Sequence, residues 1–160
     1  MVKNSKNLLI KLILLISIIA LVSAFFIEYV LGHQPCNLCI LERIPYLLAI
    51  IIILLNFKFS HYEKFFIFLL SIIFLAGAII SLYHLGIEQG FVQESLVCDL
   101  KSGSNLLSKE EILKQLQEKN VSCKDVTFKI FGFSLTTLNI IISLLITIVF
   151  TKIYFSYDKN

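Results

Sequence analysis

Four long apolar runs, separated by short polar stretches, make up most of the chain. The first extends from about residue 8 to 27 and interrupts its apolar side chains only with Lys11 and small serines. The second, from about 40 to 57, carries Glu42, Arg43 and Pro45 at its start and then no charge from Tyr46 to Leu55. The third covers about 65–85 and the fourth about 133–155. A helix needs roughly 20 apolar residues to cross the hydrocarbon core, where every backbone polar group must be satisfied internally. The pattern therefore predicts an all-α fold: a transmembrane four-helix bundle forming one integral membrane domain over 1–160. A cleaved signal peptide is the rival reading of the first run, because Lys3 and Lys6 precede it and Val22-Ser23-Ala24 resembles a cleavage site. The apolar run continues through Phe25, Phe26 and Ile27 past that point, and three further spans follow, which favours a membrane helix.

The connecting segments carry their own signals. Pro45 lacks a backbone donor, so the second helix is expected to kink or to start late. Gly77, between Ala76 and Ala78, allows a neighbouring helix to come close. Two segments, about 28–39 and 86–132, connect spans at one end of the bundle, the second being a long extracytoplasmic loop between helices three and four. In it, Ser108-Lys109-Glu110-Glu111 matches a capping box, and Leu107, Ile112, Leu113 and Leu116 recur at helical spacing. A short amphipathic helix over about 109–119 follows, resting on its own protein, on the membrane surface or on a partner. Asn120-Val121-Ser122 has the form of a glycosylation sequon, relevant only in a eukaryotic secretory protein.

Composition agrees with a membrane protein: 58% of residues are hydrophobic, 16% are charged and mean hydropathy is +0.88. The net charge of +3 comes mainly from lysines at segment ends, which speaks for membrane topology and not for nucleic acid. With four spans, the segments after helices one and three must share a side. Lys3, Lys6, Lys58, Lys64, Lys152 and Lys159 mark the opposite side, with both termini, as cytoplasmic. All four cysteines then face an oxidising exterior or periplasm, where disulfides persist.

Those cysteines fall as Cys36 with Cys39 and Cys98 with Cys123, and their count permits three full pairings that the sequence does not decide. A Cys-x-x-Cys pair can cycle between dithiol and disulfide, and a helix mouth with a nearby cation, Arg43, favours a thiolate. If 39–43 are helical, Cys39 and Arg43 share a face. A static disulfide is the plain alternative. A zinc site is weakened because His33 and His84 are the only same-side histidines and no second Cys-x-x-Cys completes a tetrad. Arg43 reads equally as an interface anchor or a partner for Glu42. Cys98 and Cys123 read alone as a loop staple; beside a second pair they become a relay that an outside thiolate can enter through mixed disulfides. The final acceptor would be lipid-soluble, and His84 at the outer end of helix three is a candidate to hydrogen-bond it. The competing class is a small membrane scaffold or transporter subunit with two static disulfides.

Gln34-Pro35-Cys36-Asn37-Leu38-Cys39, Glu42-Arg43-Ile44-Pro45, Tyr83-His84, the Cys98 and Cys123 loop and Phe131-Gly132-Phe133-Ser134-Leu135 together resemble the DsbB family, the bacterial disulfide bond formation proteins. The resemblance covers essentially the whole chain. It implies an inner-membrane oxidoreductase that reoxidises a periplasmic thioredoxin-fold dithiol oxidase of the DsbA type and reduces a quinone, ubiquinone or menaquinone, without a metal. It further implies that Cys98 forms the mixed disulfide with that partner and Cys123 resolves it, and that Cys36 exchanges with the loop pair. Cys39 would face the quinone, with Arg43 helping to bind it and to hold Cys39 ionised. His33 stands where the family commonly has Trp. A vitamin K epoxide reductase relative is a further four-helix alternative, but there the Cys-x-x-Cys typically lies at the fourth helix, and here it precedes the second.

Overall fold

The computed structural model of the protein describes residues 2–93, 123–124, 129–130 and 133–157. Cys98, the capping box at Ser108, the amphipathic segment at 109–119, the Asn120 sequon, Phe131 and Gly132 lie outside the described residues. Among the described residues five helices follow in chain order: α1 (Val2–Tyr29), α2 (Asn37–Leu41), α3 (Ile44–Lys58), α4 (Glu63–Glu88) and α5 (Leu135–Tyr157). A short 3-10 turn, Ser60–Tyr62, joins α3 to α4. Ahead of α5, β1 (Lys129–Ile130) pairs antiparallel with β2 (Phe133–Ser134) in a two-residue ladder, Lys129 opposite Ser134 and Ile130 opposite Phe133.

Among the described residues four stretches are long and apolar enough to span a membrane: Lys6–Tyr29, Asn37–Lys58, Glu63–Glu88 and Leu135–Ser156. The second is built from two helices. Helical bonding ends where the Arg43 N–H turns to the Ile40 carbonyl at 3.1 Å, and it restarts with Pro45 in the first turn of α3, where a missing donor costs nothing. The break keeps Glu42 and Arg43 at the end of the bundle while the apolar body of α3 runs on.

The closest packing is of α4 on α5, with α3 against both α1 and α4. Its core runs through Ile10, Ile13, Ala49, Ile53, Ile67, Leu70, Phe74, Ile146 and Phe150, all nearly or fully buried. Phe74 stacks on Phe150 and takes the edge of Tyr46 at 5.6 Å. The outward faces stay apolar, with Leu8, Leu12, Leu15, Ile19, Val22, Ile51, Leu54, Leu75, Ile79 and Leu145 exposed, as a surface against lipid requires. At Gly77, α4 comes close to the first turn of α3. A Cβ there would lie 3.0 Å from Pro45 Cγ, so the small-residue stripe admits the proline ring.

At the far end of α4 the chain leaves through a Schellman turn. Gly90, at φ +77°, sends its N–H to the Ile87 carbonyl at 3.0 Å, and Phe91 sends its own to Gly86 at 2.9 Å. Ser134 begins α5 by accepting from the Thr137 N–H at 3.3 Å. The α4 end packs on α2, and His84 and Thr136 from the two ends meet in a buried polar cluster.

Candidate redox site

Cys36 is the N-cap of α2. Its Sγ accepts from the Cys39 N–H at 3.3 Å, which folds the Cys-x-x-Cys into the first helical turn. The two sulfurs are consequently 2.9 Å apart and share a hydrogen bond. Cys36 is buried and Cys39 half-buried, both as thiols. The hydrogen bond with Cys39 is the largest influence on the Cys36 thiol and pushes its pKa up; burial adds to this, and His84 opposes both. The Cys36 thiol is therefore held in its protonated form.

His84 is 2% exposed and reaches the pair from α4, with Nε2 3.5 Å from Cys36 Sγ. Its other nitrogen meets Glu42 Oε1 at 2.8 Å, so the N–H of Nδ1 is committed to a carboxylate and Nε2 is turned toward sulfur. Thr136 on α5 lies 3.3 Å from the same Nδ1 and donates to Glu88 Oε1 at 2.6 Å. Glu88 Oε2 is buried without a hydrogen-bond partner. Behind Glu42, Asn139 donates to Glu42 Oε2 at 3.1 Å and to Ser81 Oγ at 2.7 Å, and accepts from the Tyr46 hydroxyl. A polar chain thus runs from the thiols into the bundle, with members from α3, α4 and α5 and with Glu42 between α2 and α3.

Not every residue that the sequence singled out joins this cluster. Cys123 does: it is 2% exposed and packs in one apolar group with Cys36, Leu38 and Ile87, against Cys39, Ile80 and Tyr83. His84 does too, where the sequence suggested a contact to a lipid-soluble acceptor. Arg43 turns the other way. Its guanidinium pairs with Glu28 of α1 and lies 5.2 Å from the centroid of Phe25, because Glu42 is engaged by His84 and Asn139. The helical frame that would stack Cys39 over Arg43 ends at Leu41.

Sequence reasoning missed Glu28, Ser81, Glu88, Thr136 and Asn139. A signal was present for Asn139, a side-chain amide within an otherwise apolar span, since polar groups in such spans face the bundle interior and pair there. Glu88 gave a weaker one, four residues after His84 on the same helix face.

The family model described as disulfide bond formation protein DsbB matches residues 6–153. The uncharacterized protein RP370 of Rickettsia prowazekii (strain Madrid E) is 33% identical over 99% of this chain and 94% of its own length. No solved structure matches the chain significantly.

Proposed function

We propose, because this chain belongs to the family of disulfide bond formation protein DsbB, that it is a quinone-dependent protein-dithiol oxidoreductase of the bacterial inner membrane. Membership makes it a multi-pass membrane protein of disulfide-bond formation. The finer reading is that it reoxidises a periplasmic DsbA-like thioredoxin-fold protein and passes two electrons through Cys98 and Cys123, then Cys36 and Cys39, to ubiquinone or menaquinone. Both termini would be cytoplasmic and the cysteines periplasmic.

The observation that carries this reading is the packing of buried Cys123 in one cluster with Cys36, against Cys39. A staple confined to its own loop has no need of a place beside a second cysteine pair, whereas exchange needs sulfur delivered to sulfur. In the scheme, a partner thiolate attacks Cys98 and releases Cys123. The partner's second thiol resolves the mixed disulfide, leaving Cys98 and Cys123 reduced. The Cys123 thiolate attacks Cys36 of the Cys36–Cys39 disulfide, Cys98 closes onto Cys123, and Cys36 and Cys39 become the dithiol. His84 Nε2, with Nδ1–H held by Glu42, is positioned to take the Cys36 proton. A quinone, when bound, supplies the two-electron, two-proton sink that restores the Cys36–Cys39 disulfide.

The residues fit a lipid-soluble acceptor. Cys39 is half-buried beside outward-facing Ile40 and Ile44, so its sulfur can be approached from the bilayer side. Arg43, fixed by Glu28 and Phe25 at the same end of the bundle, offers a cation for a quinone oxygen.

The test is anaerobic quinone reduction by the purified protein in detergent, with a reduced thioredoxin-fold dithiol protein as donor. Turnover that Cys39→Ala and Cys98→Ala both abolish is expected. Absence of turnover with ubiquinone and menaquinone, with all four cysteines stably oxidised, would return the scaffold with two static disulfides to first place.

A further inference from the structure

The sequence weighed against a metal because His33 and His84 are the only same-side histidines and no second Cys-x-x-Cys completes a tetrad. The fold alters that inventory by carrying His84, 48 positions from Cys36, into the pair. Cys36 Sγ, Cys39 Sγ and His84 Nε2 all lie within 4.8 Å of one another. Two soft thiol donors and one imidazole are a donor set that selects thiophilic cations.

Three features go beyond mere proximity. Around a tetrahedral zinc ion with bonds of about 2.3 Å to sulfur and 2.0–2.1 Å to nitrogen, sulfur and nitrogen stand about 3.5 Å apart and two sulfurs about 3.8 Å. The Cys36–His84 separation is 3.5 Å, and the two sulfurs, now 2.9 Å apart, need only open as their protons leave. The histidine is held from behind, Nδ1 on Glu42 Oε1 at 2.8 Å and Glu42 in turn on Asn139, which is the carboxylate–histidine support that orients metal-binding imidazoles. Finally, Glu88 has Oε1 3.9 Å from His84 Nε2, and its other oxygen is buried with no partner. Glu88 stands outside the 4.8 Å group and its Oε1 accepts from Thr136, so a turn of the side chain that brings the unpartnered Oε2 toward the three ligands would supply a fourth donor.

We propose that the reduced protein holds one Zn2+ on Cys36, Cys39 and His84, with Glu88 closing the fourth position, and that the bound ion arrests the dithiol. Binding releases the two thiol protons to solvent and changes no oxidation state: two Cys–SH and Zn2+ give two zinc–thiolate bonds and two protons. The sulfur lone pairs that disulfide formation requires are then committed to metal. The disulfide form has no thiolate to offer and does not bind. The site thus senses thiophilic metal only while the pair is reduced, and it stands whether or not the final acceptor is a quinone.

The experiment uses full-length protein carrying Cys98→Ser and Cys123→Ser, so that a single dithiol remains, reduced with a phosphine and handled without oxygen. Co2+ is titrated first as a spectroscopic probe, then displaced with Zn2+. One equivalent is expected to produce a thiolate-to-cobalt charge-transfer band with the strong visible bands of a tetrahedral site, and Zn2+ to erase both. Zn2+ should protect both thiols from maleimide, and a chelator should restore labelling. Glu42→Gln, which keeps the size of the side chain, is expected to lower Zn2+ affinity about 10–100-fold, as loss of a ligand's outer hydrogen bond does. Protein oxidised at Cys36 and Cys39 serves as a control that needs no further substitution and should show no band. The proposal is overturned if the oxidised protein gives the same spectrum, if the cobalt site is octahedral without thiolate bands, or if His84→Ala of unchanged helicity binds Zn2+ as tightly.

Discussion

His84 and Cys36 meet with Nε2 3.5 Å from Sγ, joining the third span to the cap of the short helix that opens the second. The contact makes a buried histidine the neighbour of a buried thiol, and it sets an imidazole from the third span beside the Cys-x-x-Cys.

The first prediction concerns pH. The Cys36 thiol is raised chiefly by its hydrogen bond with Cys39 and then by burial, while His84 pulls it down. Removing Cys39 therefore lowers the Cys36 pKa, and removing His84 raises it further. In reduced protein lacking Cys98 and Cys123, iodoacetamide should alkylate Cys36 at neutral pH at least about tenfold faster in Cys39→Ala, since each pKa unit is tenfold in thiolate. His84→Ala should move the alkylation profile to more alkaline pH. Identical profiles in the two variants would separate Cys36 from both neighbours.

Arg43→Ala should raise the quinone KM while leaving the loop cysteines able to react with the partner protein. A charge-assisted hydrogen bond is worth about 1.5–3 kcal/mol, which is tenfold or more in binding. Glu28→Gln, which releases the guanidinium from its partner on α1, should give a smaller change in the same direction. Steady-state kinetics at varied quinone decide this, and an unchanged KM and turnover in Arg43→Ala would remove Arg43 from the acceptor site.

Gly77→Ala should destabilise the bundle, because the added methyl lands 3.0 Å from Pro45 Cγ. Overpacking of this kind costs about 1–3 kcal/mol. Thermal unfolding in detergent should show a lower Tm, and Pro45→Ala in the same chain should recover part of the loss. Strict additivity of the two substitutions would mean that the ring and the glycine do not meet.

Asn139→Leu should cost more than Tyr46→Phe. The amide serves Glu42, Ser81 and Tyr46 at once, whereas the phenol contributes one hydrogen bond. Leaving a buried carboxylate oxygen short of a donor costs about 1–3 kcal/mol. Denaturant titration in mixed micelles should rank the two variants in that order, and the reverse order would show that Asn139 is not the hub.

Much of the architecture was legible because membrane helices write their presence in one dimension. Twenty apolar residues with charges at the ends admit few other solutions, and the parity of four spans puts the segments after helices one and three at one end, where Cys36 and His84 indeed meet. Pro45 announced a late start for α3, and Gly77 a close crossing. The chemistry was legible only as far as residue type and short spacing reach. The three-residue spacing of Cys36 and Cys39 was plain in the sequence, which left the pairing of the four cysteines open, and the fold puts the two one helical turn apart. The cluster of His84, Glu42, Glu88, Thr136 and Asn139 spans nearly a hundred positions, and its members meet because a Schellman turn ends α4 against α2 and an N-cap begins α5 where Thr136 meets His84.

By itself, then, the sequence determined the four spans and the three-residue spacing of Cys36 and Cys39, and it pointed to a shared side for the cysteine pairs and to redox chemistry at Cys36 and Cys39, since hydrophobicity, parity and spacing are properties of the chain before it folds. The tertiary structure decided which side chains share the thiols' surroundings. A buried charge must find a partner, and Glu42 found His84 and Asn139, which left Arg43 to Glu28 and Phe25. That partition depends on where helices cross and end, which no local pattern encodes.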